Sequence, residues 1–88
     1  MPEAPSVEVY TRPLCAYCFR ALRLLDSKGV RYVTYDVWRE RARADECRQR
    51  LGGSHTYPQV FIDGVAVGGF TELAALDRKG ELDRMLSA

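Results

Sequence analysis

Two cysteines, Cys15 and Cys18, stand where the pattern of the chain changes from strand to helix. Residues 6–10 alternate and are rich in strand formers, which predicts a first strand. From residue 15 to residue 28 the pattern becomes helical, because Cys18, Ala21 and Leu25 fall on one face at helical spacing. The pair is therefore expected at the start of a helix that follows a strand, which limits the fold to one with a β-α beginning.

The rest of the chain continues to alternate between strand and helix patterns. Asp63-Gly64 lies between two apolar runs and predicts a hairpin, since this dipeptide suits the positive φ angles of a tight turn. Thr71 is expected to be the N-cap of the helix after the hairpin. The predicted strands cover residues 6–10, 30–37, 58–62 and 65–67, and the predicted helices cover residues 15–28, 38–51, 72–79 and, as a short last segment, 81–86.

The order β-α-β-α-β-β-α predicts an α/β fold with a mixed four-stranded sheet flanked by helices on both faces. The first two strands are joined through a helix, so they are expected to be parallel with a right-handed crossover. The hairpin adds two antiparallel strands. With 88 residues, the chain is expected to form one domain over residues 1–88.

Composition excludes several classes of function. Lysine plus arginine is 13 and aspartate plus glutamate is 12, so the net charge of +1 argues against nucleic-acid binding. No run of about 20 apolar residues is present, so no membrane span is expected. Three cysteines are too few for a disulfide scaffold, which favours the cytoplasm. We expect a monomer.

The second predicted helix carries several arginines interleaved with acidic residues. Arg41 with Asp45, and Glu46 with Arg50, have the i,i+4 spacing of helix ion pairs. A solvated, salt-bridged face is therefore favoured over a nucleic-acid surface. The arginines in question are Arg39, Arg41, Arg43, Arg48 and Arg50.

The start of a helix gives the cysteine pair a chemical role. The first turn offers unpaired N–H groups and the positive end of the helix dipole, which favour an anionic sulfur. We therefore expect a lowered pKa for Cys15, which makes it the nucleophilic thiolate. Cys18 is expected to be more buried and to resolve mixed disulfides. A C-x-x-C pair near a βαβ pattern is typical of a thioredoxin-like redox site.

Two other uses of the cysteines remain open. Cys15, Cys18, Cys47 and His55 could form a Cys3His zinc site, although a second pair at knuckle spacing is missing. Two unrelated buried cysteines are the other alternative. Redox chemistry is the favoured interpretation, and no metal is expected.

Four segments of the chain together resemble the glutaredoxin family, in particular its small bacterial dithiol type. They are Val-Glu-Val-Tyr-Thr-Arg before Cys-Ala-Tyr-Cys, then Leu-Leu-Asp-Ser-Lys-Gly-Val, Thr-Tyr-Pro-Gln-Val-Phe-Ile-Asp-Gly and Val-Gly-Gly-Phe-Thr-Glu-Leu. The resemblance covers nearly the whole chain. It implies a thioredoxin fold and glutathione-dependent reduction of protein disulfides and glutathione mixed disulfides, with glutathione as co-substrate and disulfide-bearing or glutathionylated proteins as partners.

The resemblance also implies a glutathione groove. In the family, the backbone before a cis-proline pairs with glutathione as an added strand would, and a helix N-terminus holds the γ-glutamyl carboxylate. A cation three residues before the first cysteine can meet the glycine carboxylate. Carried over to this chain, the catalytic residues are Cys15 and Cys18, and the glutathione-binding residues are Arg12, Tyr17, Thr56, Tyr57, Pro58, Gly69, Phe70, Thr71 and Glu72.

The sequence departs from the family pattern at five positions. Arg12 stands where lysine is usual, Ala16 where proline is usual, Tyr57 where valine is usual, and Thr71 and Glu72 where two aspartates are usual. Two alternatives within this resemblance follow. One is a redoxin that serves ribonucleotide reductase and is recycled by thioredoxin reductase. The other is a carrier of a [2Fe-2S] cluster that uses glutathione as a ligand.

Overall fold

The computed structural model describes residues 4–87. Its elements follow the predicted order, and the last segment forms a helix of its own. They are the strands β1 (Val7–Thr11), β2 (Val33–Asp36), β3 (Gln59–Ile62) and β4 (Val65–Gly68), and the helices α1 (Ala16–Ser27), α2 (Arg41–Leu51), α3 (Phe70–Arg78) and α4 (Glu81–Leu86). Over this part of the chain, none of the helices has the length and hydropathy that a bilayer span requires.

The four strands form one mixed sheet in the order β2-β1-β3-β4. Strand β1 pairs with β2 in parallel and with β3 antiparallel, and β3 pairs with β4 antiparallel. The turn between β3 and β4 places Asp63 at φ 51° and Gly64 at φ 79°, both in the left-handed region. The predicted sheet and its Asp-Gly hairpin are therefore confirmed.

Alternation along the strands sends apolar side chains to both faces of the sheet. Val9 and Val60 belong to a buried cluster that includes residues of α1, α3 and α4. Tyr10 and Phe61, their neighbours in sequence, belong to a second cluster with Cys47 of α2. Helices thus cover both faces, as predicted, and Cys47 lies on the face opposite to α1.

Helix α2 is tied to the sheet through Arg50. Its guanidinium donates to both carboxylate oxygens of Glu8, each 3.1 Å away, and to the hydroxyl of Tyr10 at 2.9 Å. It also lies 3.8 Å from the ring centroid of Phe61. The predicted Glu46–Arg50 ion pair is therefore wrong. Arg50 binds the carboxylate of Glu8 in the sheet through two parallel hydrogen bonds, which are stronger than a single contact along the helix.

The second predicted helix pair, Arg41–Asp45, is also absent from the ion pairs among residues 4–87. Arg43 forms the helix-face pairs instead, with Glu40 at 3.3 Å and Glu46 at 3.0 Å. Both have i,i+3 spacing, so the face is salt-bridged as expected but through different partners.

The start of α2 lies at residue 41 rather than at residue 38. The side chain of Asp36 accepts hydrogen bonds from the backbone N–H groups of Trp38 at 2.9 Å and Arg39 at 3.3 Å. This side-chain turn competes with the helix for those N–H groups and delays its start. Strand β2 is also shorter than predicted, since it begins at Val33.

Helix α3 starts two residues earlier than predicted. Its N-cap is Gly69, and Phe70 is its first residue, so the expectation that Thr71 caps the helix is wrong. The N–H of Gly69 donates to Oε1 of Glu72 at 2.7 Å. Glu72, the third residue of the helix, reaches back over the first turn in this way and satisfies the N–H of the N-cap residue.

Candidate active site

The cysteine pair lies where β1 leads into α1. Leu14, at φ 55°, turns the chain sharply before the helix, and Cys15 is the N-cap of α1. Cys15 and Cys18 are joined in a disulfide. The N–H of Cys18 points at the Sγ of Cys15 from 3.2 Å. Cys18 is buried and Cys15 is half-buried, so Cys15 is the more accessible residue of the pair.

A second segment faces the pair from across the groove. The peptide bond between Tyr57 and Pro58 is cis, and the carbonyl oxygen of Tyr57 lies 3.7 Å from the Sγ of Cys15. The carbonyl of Thr56 accepts a hydrogen bond from the buried side chain of Gln59 at 2.9 Å. Sequence analysis missed this role of Gln59. The residue stands among apolar residues of β3, and nothing in that pattern indicates that its side-chain amide binds the loop before Pro58.

These segments enclose one open groove of about 720 Å³. It contains all nine residues that the sequence assigned to glutathione binding, together with one that it did not assign, His55. The groove is lined by Arg12, Tyr17, His55, Thr56, Tyr57, Pro58, Gly69, Phe70, Thr71 and Glu72. Residues from three distant parts of the sequence thus meet beside Cys15.

His55 supports the ring of Tyr57. Its Nε2 lies 3.0 Å from the hydroxyl of Tyr57, and its Nδ1 lies 3.2 Å from the carbonyl oxygen of Gly53. The carbonyl can only accept, so Nδ1 carries the proton and Nε2 accepts from the tyrosine. Sequence analysis considered His55 only as a possible zinc ligand, and its spacing of two from Tyr57 was the available signal for this contact.

The edge of the groove opposite the cysteines requires small residues. Gly68 has φ +111°, and a Cβ there would lie 2.9 Å from both Cγ and Oε1 of Glu72. A Cβ on Gly69 would lie 3.3 Å from the carbonyl oxygen of Pro58. A side chain at Gly68 would therefore displace Glu72 from its place on the N-terminus of α3.

The two flanking side chains lie at the groove mouth. Arg12 is exposed, and its guanidinium donates to the carbonyl of Pro13 at 3.2 Å. Tyr17, on the first turn of α1, has its ring centroid 6.2 Å from that of Phe70 on α3. A cationic group and an aromatic pair thus border the groove.

Cys47 does not join the cysteine pair. It is fully buried between α2 and the sheet, and burial raises the pKa of its thiol to about 11. In the part of the chain that is described, no three histidine, cysteine, aspartate or glutamate side chains lie close enough to hold a metal ion. The four residues considered for a Cys3His zinc site are therefore not brought together.

Comparison with known protein families identifies the family of this chain. Residues 7–67 match the family named Glutaredoxin. The chain belongs to the glutaredoxin family. Glutaredoxin 3 of Escherichia coli is 43% identical over 81 residues, which make up 92% of this chain and 96% of that protein. A glutaredoxin of Pseudomonas aeruginosa is 44% identical over 86 residues, 96% of this chain and 99% of that protein.

Solved glutaredoxin structures share the architecture. A buckwheat glutaredoxin–glutathione complex superposes with a TM-score of 0.82 and is 34% identical, covering 91% of this chain and 74% of that one. This glutaredoxin therefore has the thioredoxin fold that its sequence predicted. With its disulfide-forming pair Cys15–Cys18, it is a thiol–disulfide oxidoreductase of the small bacterial type.

Proposed function

We propose that this glutaredoxin uses glutathione to reduce protein disulfides and glutathione mixed disulfides, with Cys15 as nucleophile and Cys18 as resolving thiol. The observation that carries the proposal is the groove beside Cys15, in which a cis-proline segment, a helix N-terminus and an arginine converge. The complex of glutathione with the related buckwheat glutaredoxin supports it.

The groove offers a separate contact to each part of the tripeptide. The backbone of Tyr57 presents donor and acceptor groups to the cysteinyl unit, as a sheet edge would. The N–H groups of Phe70 and Thr71, in the first turn of α3, have no partner within the helix and can hold the γ-glutamyl carboxylate. Arg12 provides the cation for the glycine carboxylate.

Glu72 has a narrower role than the sequence suggested. Its Oε1 already accepts from the N–H of Gly69, so Oε2 is the freer oxygen for the γ-glutamyl ammonium. The carboxylate then serves as helix cap and ligand contact together.

The proposed reaction is a pair of thiol–disulfide exchanges. The Cys15 thiolate attacks the glutathione sulfur of a mixed disulfide, forms a Cys15–glutathione disulfide, and releases the protein thiolate. A second glutathione thiolate then attacks the glutathione sulfur of that disulfide, so that oxidised glutathione leaves and the Cys15 thiolate returns. Alternatively, the Cys18 thiolate attacks the Sγ of Cys15 and glutathione leaves as the thiolate. Two further glutathione molecules then reduce the resulting Cys15–Cys18 disulfide to the dithiol and leave as oxidised glutathione.

Steady-state kinetics with Arg12→Ala test the glutathione contact. We expect weaker use of glutathione, seen as a higher KM, with a smaller effect on the reduction of a protein disulfide. Arg31→Ala is the matched control, because Arg31 precedes β2, at the end of the sheet opposite to Cys15. Turnover supported by thioredoxin reductase but not by glutathione would contradict the proposal and favour the redoxin alternative.

A further inference from the structure

A second groove adjoins the active site. It lies between α1 and α3 and has a volume of about 410 Å³. Its walls are mainly apolar and include the side chains of Leu24 and Ala74. Phe70 lines both this groove and the one beside Cys15, so the two grooves meet at this side chain. The second groove takes no part in the glutathione contacts above.

The rim of this α1–α3 groove is positively charged. Arg20, Arg23 and Arg78 border it, and among residues 4–87 none of the three forms an ion pair with a carboxylate. The acidic residue at the rim, Asp77, is paired with Lys28. The groove therefore presents arginines with free hydrogen-bonding capacity around an apolar floor.

Exposed apolar side chains extend this surface to the reactive sulfur. Leu14 is 97% exposed, Phe19 62% and Tyr17 56%. The guanidinium of Arg20 lies 5.5 Å from the ring centroid of Tyr17, and that of Arg23 lies 5.7 Å from the ring centroid of Phe19. An apolar patch of this kind beside a reactive group, rimmed by charge, is typical of an interaction site.

We propose that the α1–α3 groove docks the segment of a protein substrate that flanks its target cysteine, with an apolar side chain in the groove and carboxylates on the arginines. The proposal rests on the proposed function and adds to it a class of protein substrate. Charge complementarity selects an acidic segment over a basic one. Because Phe70 borders both grooves, that segment lies next to the site of disulfide exchange.

The helix geometry fixes the spacing. Cys15 and Arg23 are eight residues apart on α1, about 12 Å along the axis at 1.5 Å per residue. An extended peptide covers that distance in about four residues. The groove-binding residue should therefore stand about four positions from the target cysteine.

The test compares three mixed disulfides with glutathione. One is a peptide with a leucine between two glutamates, about four residues from its cysteine. The second has lysines in place of the glutamates, and the third is cysteine alone. The variant is Arg23→Glu, and Arg31→Glu is a control with the same change of charge at the far end of the sheet. The readout is kcat/KM at low and at high salt.

We expect Arg23→Glu to lower kcat/KM for the acidic peptide by about fivefold at low salt and to raise it for the basic peptide. Salt at about 0.5 M should reduce both effects. Turnover of the cysteine substrate should not change. Equal changes for all three substrates, equal changes in the Arg31→Glu control, or no preference of the parent protein for the acidic peptide would overturn the docking proposal. Failure of the parent protein to turn over the cysteine substrate would instead overturn the proposed function.

Discussion

The backbone N–H of Cys18 lies 3.2 Å from the Sγ of Cys15 and points at it. This contact follows from the position of Cys15 as N-cap of α1, where its side chain accepts from the third residue of the helix. When the disulfide is reduced, we expect the same N–H and the helix dipole to stabilise a negative charge on Cys15. The local fold thus distinguishes the two sulfurs before any substrate binds.

The different surroundings of Cys15 and Cys18 predict that serine substitutions at the two positions have unequal effects on activity. Cys15→Ser should abolish reduction of a glutathione mixed disulfide, because the accessible nucleophile is lost. Cys18→Ser should keep a substantial part of the activity, because glutathione can resolve the intermediate. A glutathione-coupled turnover assay measures both, and equal losses in the two variants would contradict the assigned roles.

Replacing Ala16 with the proline that is usual in the family motif is predicted to stabilise the protein. Ala16 is the first residue of α1, a position where the fixed φ of proline suits the helix and no helical N–H bond is lost. Cys15, with φ −119° and ψ 102°, already has the extended backbone that a following proline favours. Ala16→Pro should raise the free energy of unfolding by about 0.4–1 kcal/mol. Denaturant titration of the oxidised protein measures it, and a lower midpoint with unchanged slope would count against this geometry.

The lack of space beside Gly68 predicts that a side chain at this position destabilises the protein. Gly68→Ala should cost about 1–3 kcal/mol of stability, because of its positive φ and the contact with Glu72. It should also raise the KM for glutathione. Gly53→Ala is the control, since a Cβ there meets nothing within 4 Å, and its effect should stay within about 1 kcal/mol. Similar destabilisation by both substitutions would show that the edge is not specially constrained.

Burial of Cys47 predicts a large difference in thiol reactivity. Because its pKa is raised to about 11, the Cys47 thiol stays protonated at pH 8, and the fold shields it as well. Iodoacetamide should therefore label Cys15 in the reduced native protein and leave Cys47 unmodified until the protein unfolds or the pH approaches 11. Peptide mapping after timed alkylation follows each site. Labelling of Cys47 at pH 8 as fast as in urea would contradict its burial between α2 and the sheet.

Features set by neighbours in sequence were predictable, and features set by distant contacts were not. The period of the apolar residues located the helices and strands, and Asp63-Gly64 specified its turn. The groove residues came from resemblance to a family, and the structure brings them together. The partner of Arg50 was missed because Glu8 lies 42 positions away, and the cap of α3 was misplaced because Glu72, not the more usual capping residue Thr71, provides the oxygen.

The central claim is that Cys15 is the sulfur that carries glutathione. Intact mass of the Cys18→Ser variant, reduced and then mixed with oxidised glutathione, tests it most directly. The proposed function predicts one glutathione per chain, mapped by proteolysis to Cys15, with Cys47 unmodified. A chain that gains no glutathione, or gains it only on Cys47, would contradict the claim.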